Sequence, residues 1–103
     1  MIISESDNGK CFHLRVGDQI KITLTWNPST GYIWMEEFFP ELKNVVILES
    51  EHSSSDQKIS GGSSIRTLTY TAMVIGKRKL KFNYQRPWDY EAVKNFEITV
   101  NVN

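Results

Sequence analysis

The chain is poor in cysteine and carries no excess charge of either sign. Its single cysteine, Cys11, excludes a disulfide bond within the chain and is typical of a reducing, intracellular compartment. Twelve basic and twelve acidic residues give a formal net charge of zero, so no global field would attract nucleic acid or an anionic membrane surface. We therefore expect neither nucleic acid nor a membrane as a partner.

Long hydrophobic runs and helical patterns are also missing. The first ten residues lack a basic segment followed by an apolar run, so we expect neither a signal peptide nor a membrane anchor. No long stretch shows the i, i+3, i+4, i+7 apolar pattern, which excludes a substantial helix content. A length of 103 residues with 40% hydrophobic side chains predicts one soluble, globular domain that spans residues 1–103.

The sequence contains instead a two-residue alternation of apolar and polar side chains, which is typical of half-buried β-strands. Residues 19–26 show it most clearly, with Ile20, Ile22 and Leu24 on one face. The seven predicted strands cover residues 10–16, 19–26, 32–38, 45–51, 64–75, 79–85 and 96–102. Seven short antiparallel strands predict an all-β, immunoglobulin-like β-sandwich, here without the Cys-Trp-Cys core signature.

The same alternation assigns side chains to the two faces of each strand. In residues 64–75 it places four residues inward, which are Leu68, Tyr70, Ala72 and Val74. The basic run of Lys77, Arg78, Lys79 and Lys81 is interpreted as a solvated face that protects a sheet edge.

Successive antiparallel connections alternate between the two ends of a sandwich, so the second, fourth and sixth should share one end. These connections are the Pro28 loop (residues 27–32, NPSTGY), the glycine loop (residues 53–63) and the Trp88 loop (residues 86–94). The other end has mostly short, plain turns. The unusual chemistry of the sequence is therefore predicted to lie at one end of the molecule.

The Pro28 loop is rich in residues that form turns. Asn27 and Pro28 start a turn, Ser29 and Thr30 can bond their own backbone, and Gly31 can take a positive φ. A purely structural turn would explain these residue types. The aromatic side chains on both sides of the loop favour a binding role, and these are Trp26, Tyr32 and Trp34.

The Trp88 loop places large apolar side chains where water is expected. Pro87 cannot donate to a strand ladder and ends the preceding strand, and Trp88 is followed by Asp89 and Tyr90. A rigid, exposed aromatic residue on a loop is typical of an anchor for a partner.

Catalytic interpretations have little support in the residues. Cys11 and His13 share one strand face, but no third residue orients them, and we expect Cys11 to be a small buried hydrophobe beside a partly exposed histidine. The histidines lack the spacing of a metal site, and Gly61-Gly62 precedes a strand instead of a phosphate-binding helix. The sequence thus predicts a protein that is not an enzyme and has no metal or cofactor.

Three motifs together resemble a known family. NPSTGY, Gly61-Gly62 and Arg86-Pro87-Trp88, in this order on a sandwich without disulfides, resemble the chagasin-like inhibitors of papain-family cysteine peptidases. The resemblance spans essentially the whole chain. It implies a reversible, tight-binding inhibitor of papain-like (cathepsin L-like) peptidases that is monomeric when free and acts in the cytoplasm or in vesicles containing the peptidase.

The resemblance also implies a role for each loop, because in the family the three loops form a wedge that fills the active-site cleft. Thr30 and Gly31 would lie nearest the catalytic cysteine and histidine of the peptidase, and Trp88 would stack on an aromatic residue on the primed side. The glycine loop would line the unprimed subsites. The implied peptidase-binding residues are Asn27, Pro28, Ser29, Thr30, Gly31, Tyr32, Ile59, Ser60, Gly61, Gly62, Arg86, Pro87 and Trp88.

The chain departs from the family pattern in two places. Ile59 stands where family members often have the first glycine of Gly-x-Gly-Gly, and Ser29 replaces a threonine. We hypothesise that Ile59 or Ile65 fills the apolar S2-type pocket of the peptidase. The alternative function is a carbohydrate-binding or adhesion module in which Trp88 and Tyr90 stack on sugar rings, and a plain structural domain ranks third.

Overall fold

The computed structural model describes residues 1–37, 46–55 and 64–103, with Pro28 and residues 46–55 described by their backbone alone. Two four-stranded sheets face each other, with strand orders β1-β3-β6-β5 and β2-β8-β7-β4. The strands are β1 (Ile2–Ser4), β2 (Cys11–Leu14), β3 (Gln19–Trp26), β4 (Ile33–Glu37), β5 (Val46–Ser55), β6 (Ser64–Ala72), β7 (Gly76–Gln85) and β8 (Lys94–Val102). The predicted all-β sandwich is confirmed, and β1 is a strand that the alternation did not predict.

The core lies between the two sheets and is built by the alternating residues. Ile20, Ile22 and Leu24 are fully buried on β3, whereas Gln19 and Lys21 are exposed. The fully buried residues also include Leu68, Tyr70, Leu80, Phe82, Phe96, Ile98 and Val100. In the part of the chain that the structure describes, no helix is long and apolar enough to cross a bilayer.

Two strand pairs are parallel, so the prediction of an entirely antiparallel sandwich was wrong for them. The strand β1 runs parallel to β3, and β2 runs parallel to β8. A tight hairpin forces its two strands to be antiparallel, but β2 and β8 are joined by most of the chain. A short 3₁₀ turn, Glu5–Asp7, lies between β1 in one sheet and β2 in the other.

The basic run on β7 is neither wholly solvated nor at an edge, which corrects the prediction. The strand β7 pairs with β4 on one side and β8 on the other. This strand begins at Gly76 and therefore includes Arg78. Because side chains alternate between the two faces, Arg78 lies on the same inward face as Leu80 and is only 8% exposed. Its Nη2 lies 3.1 Å from the Glu36 Oε1, because a buried guanidinium requires a compensating charge.

Two further side chains differ from their predicted environment. Val74 is 49% exposed because β6 ends at Ala72 and a bend follows. Cys11 is exposed, not buried, because Phe12 and Leu14 are the residues of β2 that face the core. The Asn101 Nδ2 donates to the Cys11 Sγ at 3.0 Å.

Strand register brings the strand ends that flank the three long connections to one end of the sandwich. Residues 53–55, which were predicted to begin the glycine loop, are instead the end of β5. Trp26 pairs with Ser64, which in turn pairs with Ser55, so β3, β5 and β6 reach this end at the same level. In the other sheet Tyr84 pairs with both Trp34 and Lys94. We call this end, at which the Pro28 loop and the Trp88 loop are described, the loop end.

Candidate functional site

The Pro28 loop occupies residues 27–32 and closes on itself through its own polar groups. Pro28–Thr30 form one 3₁₀ turn. The Asn27 Oδ1 accepts hydrogen bonds from the Ser29 N–H at 3.0 Å and the Ser29 Oγ at 2.6 Å. The Asn27 carbonyl accepts from the Thr30 Oγ1 at 2.8 Å, and the Thr30 Oγ1 accepts from the Tyr32 N–H. These bonds are the local turn chemistry expected of Asn, Ser and Thr.

Gly31 completes the loop in a conformation that other residues disfavour. Its φ is +80°, in the left-handed region where a β-carbon clashes with the backbone. A β-carbon at this position would also lie 3.2 Å from the Trp88 Cη2, so the indole ring rests directly on the glycine. The Pro28 loop and the Trp88 loop therefore touch at this point.

The Trp88 loop, predicted at residues 86–94, occupies residues 86–93 because β8 begins at Lys94, and it starts with a tight turn. The Asp89 N–H donates to the Arg86 carbonyl at 3.0 Å, which places Pro87 and Trp88 at the two central positions of the turn. The Gln85 Nε2 donates to the Asp89 carbonyl at 2.9 Å and ties the turn to the end of β7. Trp88 is 68% exposed on this support.

Arg86 joins the two loops. Its Nε donates to the Thr30 carbonyl oxygen at 3.2 Å. Its guanidinium carbon lies 4.6 Å from the centre of the Tyr32 ring and 6.0 Å from that of the Trp88 ring, within the range of cation–π attraction. The planar guanidinium of Arg86 thus contacts both the Tyr32 ring and the Trp88 ring, and these contacts hold the Pro28 loop and the Trp88 loop in one relative orientation.

A column of aromatic rings connects the loop end to the core. The Trp34 and Tyr84 ring centres are 4.9 Å apart, and the Tyr84 and Tyr32 rings are stacked at 5.5 Å. Trp34 and Tyr84 are buried, at 2% and 7% exposure, so the base of the column is part of the core. Because Trp34 and Tyr84 are buried, their packing restricts the motion of the Tyr32 ring and of the Arg86 guanidinium that contacts it.

Hydrogen bonds join Tyr84 and Trp34, the two buried rings of this column, to the Pro28 loop and to β3. The Tyr84 hydroxyl accepts from the Asn27 N–H at 3.1 Å. The Trp34 Nε1 donates to the Thr25 carbonyl at 2.9 Å. The Lys94 Nζ lies 5.1 Å from the centre of the Tyr84 ring. The alternation pattern predicted Tyr84 only as an inward-facing strand residue, and its position two residues before Arg86 was the available signal of a supporting role.

The structure brings most of the sequence-predicted site residues together. The residues that meet at the loop end are Asn27, Pro28, Ser29, Thr30, Gly31, Tyr32, Arg86, Pro87 and Trp88. The remaining predictions, Ile59, Ser60, Gly61 and Gly62, lie outside the described residues. Ile65 is partly buried on β6, where it pairs with Thr25.

The arrangement of the loop end defines a class of protein. The exposed aromatic and turn residues of the loop end are held in place by the sandwich. Cys11 lies on β2, which is at the opposite edge of the sheet from β4. Among residues 1–37, 46–55 and 64–103, no three His, Cys, Asp or Glu side chains are grouped so that they could hold a metal ion. A rigid surface of this kind is typical of a protein that binds another protein.

Comparison with known proteins identifies the class more closely. Residues 13–100 match the chagasin family of peptidase inhibitors, I42, and the chain belongs to this family. It is therefore an inhibitor of papain-like cysteine peptidases and not an enzyme.

Individual relatives agree with this assignment. Amoebiasin-2 of Entamoeba histolytica is 33% identical over 91 residues, which cover 85% of this chain and 72% of the relative. The crystal structure of the cysteine protease inhibitor EhICP2 from the same organism superposes with a TM-score of 0.86 at 27% identity, covering 99% of this chain and 94% of that one. A solved structure of PbICP-C in complex with falcipain-2 shares the fold, with a TM-score of 0.62 at 18% identity over 100% of this chain and 90% of that one.

Proposed function

We propose that this protein inhibits papain-like cysteine peptidases reversibly by inserting its loop end into the active-site cleft. The observation that carries the proposal is the contact between the Pro28 loop and the Trp88 loop, in which Trp88 rests on Gly31 and Arg86 binds the Thr30 carbonyl. Two loops joined in this way form one surface of fixed shape. A surface whose shape is already fixed can enter a cleft without first being ordered.

The fixed shape favours tight binding. Protein association is opposed by the ordering of side chains and loops at the interface, and loops already held in place lose less freedom. The Pro28 loop is held by its own hydrogen bonds and by the Tyr84 hydroxyl. An interface of standard size, roughly 1,600 Å² in total, is therefore sufficient for strong inhibition.

The backbone of the Pro28 loop also explains why the inhibitor would resist cleavage. A peptidase substrate must lie in the cleft as an extended strand. Here Pro28–Thr30 form a 3₁₀ turn and Gly31 has a φ of +80°, so the segment placed nearest the catalytic residues is not extended. Thr30 and Gly31 would block the catalytic cysteine and histidine without presenting a bond in the geometry required for attack.

The other loops would occupy the subsites on either side. Trp88 would bind an aromatic surface on the primed side, with Arg86 and Pro87 holding its direction. The glycine loop, with Ile59, Ser60, Gly61 and Gly62, would line the unprimed side, because Ser55 at the end of β5 and Ser64 at the start of β6 pair with each other beside Trp26. Ile59 or Ile65 would fill an apolar S2-type pocket. An Ile59→Asp variant with undiminished affinity would clear Ile59 of this role.

A protein of the same fold has been solved in complex with falcipain-2, which supports the use of this sandwich for binding a partner. The test for the present chain is titration against papain with a fluorogenic peptide substrate. We expect competitive inhibition that is undiminished after prolonged incubation. Inhibition that decays as the protein is cut, or full papain activity at saturating protein, would contradict the proposal.

The carbohydrate-binding alternative has one observation in its favour, which is that Trp88 and Tyr90 are both exposed. A glycan screen separates the two functions. Binding to glycans together with unchanged papain activity would favour the alternative.

A further inference from the structure

Tyr90 is fully exposed at 102% and forms no hydrogen bond, ion pair or ring contact within the described residues. Val93, in the same loop, is 60% exposed. Neither residue belongs to the three motifs that carry the family resemblance. Together with Trp88, which is 68% exposed, these two residues concentrate exposed apolar surface in one loop, and a patch of exposed apolar surface is typical of an interaction site.

The backbone on both sides of Tyr90 is fixed. Before it, the Asp89 N–H donates to the Arg86 carbonyl and the Asp89 carbonyl accepts from the Gln85 Nε2 at 2.9 Å. After it, the Val93 N–H donates to the Tyr84 carbonyl at 2.9 Å. The backbone of the loop is therefore held on both sides of Tyr90, and the Tyr90 side chain extends into solvent.

A shallow depression lies between Tyr90 and the Pro28 loop. Its lining combines two phenol rings, two short aliphatic side chains and two carboxylates, and the lining residues are Tyr32, Asp89, Tyr90, Glu91, Ala92 and Val93. The lining includes no basic residue. The lining is thus apolar and acidic, with the Arg86 guanidinium against one of its rings, that of Tyr32, and it is continuous with the loop end through Tyr32.

We propose that Tyr90 and Val93 form a second anchor for the target peptidase, and that Asp89 and Glu91 around them select peptidases whose cleft rim is basic at this place. The inference rests on the proposed function and extends its docking surface beyond Arg86-Pro87-Trp88. Apolar rings beside carboxylates complement the aliphatic stem and charged head of a lysine or arginine side chain. The occupant is therefore the peptidase rim, with an apolar surface and a nearby cation.

The two parts of the anchor act on different rate constants. Loss of a buried aromatic contact accelerates dissociation, whereas loss of a charge at the rim slows association and changes its dependence on salt. Kinetic measurement with papain as the probe therefore separates the contribution of Tyr90 from that of Glu91.

The test of the aromatic part compares Tyr90→Ala with Ile75→Ala. Ile75 is also a large exposed side chain, at 71%, but it lies in the bend between β6 and β7 at the other end of the sandwich. We expect Tyr90→Ala to weaken inhibition of papain about tenfold, mainly through faster dissociation, with Ile75→Ala unchanged. Tyr90→Phe should keep the affinity, because the proposed contact uses the ring.

The test of the acidic part is Glu91→Lys. We expect association with papain to slow several-fold at low ionic strength and the difference to shrink as salt is added, since salt screens exposed charges. The dissociation rate should change little. An association rate that is the same for both proteins at low ionic strength would contradict the proposed charge selection.

A Trp88→Ala variant measured beside these distinguishes failure of the second anchor from failure of the proposed function. Weakened inhibition by Trp88→Ala, with Tyr90→Ala equal to the parent protein, would overturn the second anchor and leave the wedge intact. Equal inhibition by all three proteins would overturn both.

Discussion

The core and the loop end of this molecule are held together in different ways. In the core, residues such as Ile22 and Phe82 are placed by strand alternation, and any apolar side chain of suitable size would satisfy the pattern. At the loop end, Asn27, Gly31 and Arg86 are each placed by a specific hydrogen bond, a backbone angle or a ring contact. Few other residue types could replace them.

This difference predicts how the molecule responds to substitution. A change in the core should reduce the free energy of unfolding and affect binding only through the loss of folded protein. A change at the loop end should reduce affinity for a peptidase while leaving most of the stability. Each of the following variants tests whether the two regions are separable in this way.

The largest expected effect is on stability, from Phe82→Ala. Phe82 is 1% exposed and packs against Phe96 with ring centres 6.3 Å apart. Deleting the ring leaves a cavity between the sheets, and we expect the free energy of unfolding to fall by about 3–5 kcal/mol. Chemical denaturation measures this directly. Papain inhibition per folded molecule should remain unchanged, and a selective loss of affinity would break the separation of core from loop end.

Next comes Trp88→Ala, which should weaken papain binding by about 2 kcal/mol or more without changing stability, since Trp88 is 68% exposed. Lys81→Ala is the control. Lys81 lies within β7, before the Trp88 loop, and forms a partly exposed ion pair with Glu37 at 3.2 Å, so its removal should have almost no effect on affinity. Equal losses from both variants would contradict the wedge.

A smaller effect on stability is expected from Gly31→Val, which forces a β-branched residue to a φ of +80° and places its β-carbon against Trp88. We expect a loss of roughly 1–2 kcal/mol in unfolding free energy, together with weaker inhibition because Trp88 must shift. Thr30→Ser keeps the hydroxyl that bonds Asn27 and serves as the matched control. A Gly31→Val protein that inhibits like the parent would show that the glycine contact is dispensable.

The smallest effect is expected from Tyr84→Phe. Tyr84 connects the core to the loop end, because its ring is buried and its hydroxyl bonds the Pro28 loop. This variant removes the hydroxyl that accepts the Asn27 N–H and leaves the ring stack in place. We expect a loss of about 1 kcal/mol in stability and a modest loss of affinity. Tyr90→Phe is the control, because its hydroxyl has no partner within the described residues. Identical behaviour of the two variants would mean that the hydrogen bond from the Asn27 N–H to the Tyr84 hydroxyl does not support the loop.

The same contrast explains how much could be predicted from the sequence. Alternation gave the bounds of β3 and the inward face of β8, because each depends only on residues near in the chain. Turn chemistry predicted the positive φ of Gly31 for the same reason. The buried Arg78 was not predictable, because its partner, Glu36, lies on another strand and compensates its charge only once the sheet has formed.

Contacts between loops are the least accessible to sequence reasoning. Topology predicted that the Pro28 loop and the Trp88 loop share one end, and strand register confirms it. The bond from Arg86 to the Thr30 carbonyl joins residues far apart in the chain, and no local pattern encodes it. The exposure of Cys11 was missed because its strand faces were assigned without knowing that β2 buries Phe12 and Leu14.

The central claim is that the loop end occupies the active-site cleft itself. Calorimetric titration onto papain, and onto papain whose cleft is filled by a covalently attached peptidyl inhibitor, tests this most directly. We predict tight binding to free papain and no detectable binding to the filled enzyme. Equal affinity for the two forms would place the interface outside the cleft and contradict the account.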